Sequence, residues 1–98
     1  MPHYEIFLHG QGLKMIDQEG VKREGGVYVW RAVSADDEAS AVTSAERDLL
    51  DDPVFRDEIW NDSLDEIRLS VEEIRRKSFW QKARDTGPVF YIDTARDL

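Results

Sequence analysis

The stretch that most constrains this chain covers residues 26–50. It opens with Gly26-Val27-Tyr28-Val29-Trp30-Arg31-Ala32-Val33. That run is apolar and rich in β-branched and aromatic residues, the composition of an interior strand. Ser34-Ala35-Asp36-Asp37-Glu38 follows, and then an alanine-rich segment without glycine or proline. Ser34 is placed to cap a first helical turn, where three acids also suit the helix dipole. One strand feeding one helix is therefore the centre of the fold. The helix is expected over residues 35–50, with Ala39, Val42, Ala45 or Glu46, and Leu49 on its narrow apolar face, widened by Ala41 and Leu50.

The elements before this pair read as a hairpin. Over residues 3–8, Tyr4, Ile6 and Leu8 share one strand face, and His3, Glu5, Phe7 and His9 share the other. The first set is the core face. Gly10-Gln11-Gly12 should end or bend this strand, and Leu13 to Ile16 could continue it past a bulge. Residues 17–25 are polar and read as the connection to a second strand over 27–33. Both faces of that strand are largely apolar, which fits a helix on one side and another cover, such as a second subunit, on the other.

After the helix, Asp51-Asp52-Pro53 is a stop signal. Two aspartates oppose the dipole there, so they either begin the next element or are a tolerated local cost. Pro53 suits the first turn of a short helix over 54–60. Residues 64–77 fit two templates. Ser63 and Glu66 form a capping-box pattern, and Leu64, Ile67, Val71 and Ile74 recur at helical spacing. As a strand, Ile67, Leu69 and Val71 alternate, with Ile74 displaced by one register step. A sheet needs three or more strands, which favours a strand over 66–74 and keeps the helix as the alternative. A short helix over 78–84, a strand over 89–92 and a frayed tail over 93–98 complete the chain. The expected class is α+β: a two-layer sandwich with a mainly antiparallel sheet of three to four strands and one principal helix, in one domain.

Charge is very uneven. The 98 residues carry 13 Lys and Arg against 21 Asp and Glu, a formal charge of −8. Residues 36–66 hold twelve of the acids and two bases, Arg47 and Arg56. Such asymmetry bears on partners rather than on fold. Asp36, Asp37, Asp48, Asp51, Asp52, Asp57, Glu58 and Asp62 are the candidate contact carboxylates for a partner protein with a basic surface. A phosphate backbone is disfavoured as a partner for that segment, because such binding needs cations.

Two other constellations carry weaker signals. Arg75, Arg76, Lys77, Lys82 and Arg84 flank Phe79 and Trp80, a combination able to hold a single nucleic-acid strand. It is equally explained by ion pairs with the acidic segment, and nucleic acid is not the expected partner. His9, Gly10, Gly12 and Lys14 are the candidate small-ligand or enzyme site, but no phosphate-loop ending follows the glycines. His3, Glu5 and His9 lie on one strand face, yet His3 and His9 would be about 20 Å apart, so no metal is expected. No cofactor is expected either. The chain has no cysteine, which excludes thiol chemistry and fits the cytosol. No apolar run could cross a bilayer, and Met1-Pro2-His3 is not the opening of a secretory signal. Six large rings, Trp30, Phe55, Trp60, Phe79, Trp80 and Tyr91, fit either one aromatic core or a homodimer interface. The expected role is a small acidic interaction or regulatory domain without intrinsic catalysis.

Overall fold

The structure, a computed structural model, describes residues 2–77 and 85–93. The helix read over 78–84, with Lys82 and Arg84, and the tail beyond Asp93 lie outside the described residues. Four strands form one antiparallel sheet in the order β3-β1-β2-β4. They are β1 (His3–Ile16), β2 (Lys22–Ser34), β3 (Arg68–Lys77) and β4 (Val89–Ile92). Helices α1 (Glu38–Asp51) and α2 (Pro53–Glu58) lie between β2 and β3, followed by a one-turn 3₁₀ helix over Leu64–Glu66. The expected two-layer α+β sandwich is what the chain forms.

β1 and β2 make a hairpin longer than the sequence suggested. The two glycines do not end β1. A bulge between Gln11 and Leu13 absorbs the irregularity, with Gly12 at φ +80°. The bulge switches which residues face the core. Tyr4, Ile6 and Leu8 are buried before it, and Leu13 and Met15 after it. Only such a switch keeps both apolar sets on one side. Pairing then runs on to Ile16 opposite Lys22, so β2 begins five residues before the apolar run. The turn is closed by Asp17, whose Oδ1 accepts the Glu19 and Val21 amides at 2.9 Å. Gly20 supplies the left-handed residue that the turn needs.

β3 is a strand, as the architecture required, and its register explains the misplaced Ile74. Ile74 pairs with Ile6 and Val71 with Leu8, with a bulge between them. The one-step displacement in the sequence is this bulge. The capping box is also real, with Ser63 and Glu66 in reciprocal bonds, but it caps a single 3₁₀ turn and not a long helix.

α1 starts later than expected, and Asp37, not Ser34, is its N-cap. Asp37 Oδ1 accepts the Ser40 amide at 2.8 Å. Ser34 still belongs to β2, where its hydroxyl meets His3 Nδ1 at 2.9 Å. Both residue types cap well, and the length of β2 decides between them. The buried stripe is Ala41, Ala45 and Leu49, four residues apart, while Ala39 is exposed. The small alanines let α1 lie close to Ile6, Leu8, Val27 and Val29, which are all fully buried. Each such aliphatic side chain contributes about 1.5–3 kcal/mol. Asp52 resolves the acidic pair before Pro53. It is the N-cap of α2, accepting the Val54 amide at 2.9 Å.

Candidate functional site

The helical layer carries the candidate contact carboxylates, and the structure divides them into two groups. Asp37 and Asp52 have internal roles. Asp37 caps α1. Asp52 caps α2 and also binds Arg31 Nη2 at 2.5 Å. Arg31 is 11 % exposed and reaches Asp85 at 3.1 Å with its other terminal nitrogen. It therefore ties β2 to the helical layer and to the segment before β4. Asp36, Asp48, Asp51, Asp57, Glu58 and Asp62 form the second group, and all six are exposed. Among the described residues they take part in one ion pair, Asp51 with Arg56 at 3.8 Å. That pair is solvated on both sides and neutralises little.

The segments around them are fastened by local bonds. Trp60 donates its amide to Lys14 O at 2.7 Å. Asn61 accepts the Lys14 amide at 2.8 Å and donates to Gly12 O at 2.9 Å. The loop carrying Asp62 is thus clamped onto the β1 bulge. The sequence marked Asn61 only as a turn residue, and its clamp depends on residues about fifty positions away.

Several carboxylates are held below their usual range. The Arg23 side chain and the Val21 amide lower Asp17; the Ser40 amide lowers Asp37; the Lys14 ammonium lowers Glu66. Burial pushes Asp52 up, but the Val54 amide and Arg31 outweigh it and leave it lowered. A lowered folded pKa contributes stability above the unfolded value and loses it as pH falls through the folded one. The melting temperature should therefore hold from neutral pH down to about 5 and fall below about 4, as a calorimetric pH series would measure.

The opposite sheet face carries a row of rings. Trp30 and Phe7 stack at 4.7 Å, Phe7 and Tyr28 at 5.5 Å, and Tyr28 and His9 at 4.3 Å between centroids. Tyr91 of β4 joins Tyr28 at 5.6 Å. It fits because Gly26 has no side chain: a Cβ there would overlap the Tyr91 ring. His9 Nε2 meets the Tyr91 hydroxyl at 2.5 Å, and Nδ1 lies 3.4 Å from Glu72 Oε1. Glu72 is the extra residue of the β3 bulge, so the bulge is what brings it to His9. Burial raises the Tyr91 pKa, which keeps the phenol neutral. With both nitrogens engaged and 8 % of the residue exposed, His9 works here as a link between β1, β3 and β4. Tyr91→Phe should cost about 1–2 kcal/mol and alter the His9 ring ¹⁵N shifts, as urea unfolding and NMR would show.

The other candidate ligand residues do not converge with His9. Gly10 faces the core, where a Cβ would lie 2.9 Å from Val27 Cγ1. Gly12 sits at the bulge, and Lys14 Nζ turns to Glu66 at 2.9 Å. Among the described residues no three His, Asp or Glu side chains converge as a metal site.

The β3 cations are divided as well. Arg75 binds Glu73 through Nε at 2.7 Å and lies 6.0 Å above the Trp30 ring. Lys77 and Arg75 also approach the buried Glu5, at 3.4 and 3.6 Å. Arg76 pairs opposite Tyr4 and so belongs to the other face. Arg75 and Lys77 of β3 therefore engage carboxylates of the sheet, Glu5 and Glu73, rather than those of the 36–66 segment.

Fold and surfaces together define a two-layer α+β domain with an acidic helical layer and an aromatic sheet face. Among the described residues no helix is long and apolar enough to cross a membrane. No family model, curated protein or solved structure matches this chain, so its role has to be argued from its own residues.

Proposed function

We propose that this is a non-catalytic interaction domain whose acidic helical layer docks a basic surface of a partner protein. The observation that carries this reading is the set of six exposed carboxylates, Asp36, Asp48, Asp51, Asp57, Glu58 and Asp62, which among the described residues make one solvated ion pair. Like charges gathered on one layer raise the local potential and speed encounter with a cationic partner. The layer is held in place by Arg31, Asp52 and Asn61, so the charges are presented on a fixed frame. A regulatory role follows from occupancy of a partner's basic surface.

The test is capture from a source-cell lysate with nuclease treatment, at about 0.1 M and about 0.5 M salt. The bait is compared with a variant carrying Asp48→Asn, Asp51→Asn and Asp57→Asn. These positions have no capping role, so the variant should keep its fold. A stoichiometric protein that is retained at low salt and lost with the variant supports the reading. Recovery of the same protein by both baits, or of none, rejects it.

A second reading is self-association through the ring-bearing sheet face, favoured by Tyr28 and Val89, which are 37 % and 64 % exposed. Sedimentation velocity over a wide concentration range separates the two. A dimer abolished by Tyr28→Lys would place the second copy on this face.

A further inference from the structure

At the hairpin end the sheet extends past the helical layer and leaves an open groove of about 510 Å³. Its apolar lining is Met15 and Ile16 of β1 with Phe90 and Ile92 of β4. Met15 is buried, but Ile16 and Ile92 are 39 % and 36 % exposed. Met15, Phe90 and Ile92 belong to the core face of the sheet, and Ile16, next along β1, lines the groove from the hairpin end. One wall is the hairpin turn with Glu19, and another is the end of α2 with Glu58. Arg23 also lines it and is tied to Asp17 at 2.9 Å. Glu19 and Glu58 have no ion pair among the described residues.

We infer that this groove seats a basic peptide segment of the partner protein, with one bulky apolar side chain on Met15, Ile16, Phe90 and Ile92 and flanking cations beside Glu19 and Glu58. The inference rests on the acidic-layer reading and adds the anchor to it. The volume lies in the range of small-ligand and side-chain pockets. A buried anchor ringed by polar contacts is also how most interfaces gain their affinity. The acidic walls select for cations and against an acidic or purely apolar segment. The groove continues from the acidic layer through Glu58, the residue common to both, so one partner can engage both surfaces.

The experiment is an NMR titration of the ¹⁵N-labelled full chain with three capped synthetic peptides. The first is Lys-Lys-Phe-Leu-Lys-Lys. The second has alanine in place of Phe-Leu, and the third has glutamate in place of every lysine. The first should shift amides 15–19 and 90–92 saturably and bind at least about tenfold more tightly than either of the others. Ile16→Lys and Glu58→Lys should each weaken it by about tenfold, while amide dispersion reports that both variants are folded. Equal binding of the two lysine peptides, with shifts confined to α1 and α2, would overturn the groove and leave the acidic layer standing. No binding of either lysine peptide would overturn both. Tight binding of the glutamate peptide in the groove would overturn the assigned chemistry.

Discussion

Asp52→Ala should destabilise the protein by about 3 kcal/mol, the scale expected when one partner of a largely buried ion pair is removed. The loss has two sources. The α2 cap disappears, and capping residues alone contribute about 0.5–2 kcal/mol. Arg31, 11 % exposed, also loses its shorter ion pair and keeps Asp85 as the remaining one. A double-mutant cycle makes the claim specific. Arg31→Met alone should also be costly, because it strands Asp52 in a half-buried position. Arg31→Met combined with Asp52→Ala should cost clearly less than the sum of the two, since neither charge is then left unpaired. Urea unfolding of the four proteins measures this. Additive costs would mean that the pair is not coupled and that Asp52 matters only as a cap.

Phe55→Ala should have the largest effect of any single truncation, about 3–5 kcal/mol. Phe55 is fully buried and stacks on Phe90 at 6.2 Å between centroids. It is also the one buried residue of α2. A six-residue helix cannot sustain itself in water, so α2 depends on this ring. The structural consequence should be local before it is global. Amides of α2 should lose their exchange protection first, while the β1–β2 hairpin keeps its own. Uniform loss of protection across both would show that α2 is an integral part of a single cooperative unit. Because Asp57 and Glu58 ride on α2, the same variant should weaken capture of a basic partner even under conditions where the sheet remains folded.

The sheet was largely legible in the sequence, and the reason lies in its bulges. Leu13 and Met15 are out of phase with Tyr4, Ile6 and Leu8, and Ile74 is out of phase with Ile67, Leu69 and Val71. The first slip reads as a bulge already in the sequence and the second as a one-step displacement, and each is a β-bulge in the structure. The start of α1 was less legible, because Ser34 and Asp37 are both good caps and only the extent of β2 chooses between them. The aromatic face was legible only in part: of the six large rings the sequence singles out, Trp30 and Tyr91 belong to it, beside Phe7, Tyr28 and His9, while Phe55 is in the core. Nothing local to His9 announces Glu72 or Tyr91, which stand 63 and 82 positions away. The acidic layer was visible as composition. Which of its carboxylates are occupied by caps became clear only once Asp37 and Asp52 were placed at the helix ends.

β3 is an outer strand of ten residues, and such a strand offers backbone donors and acceptors to any passing strand. Six of its ten residues are charged, and the bulge at Glu72 interrupts its regular spacing. A second β3 laid antiparallel about the strand's midpoint would place Glu72 against Glu73 and Arg68 against Lys77, like charge against like. This border of the molecule is thereby guarded against open-ended stacking into fibres, so concentrated solutions should stay free of cross-β aggregates.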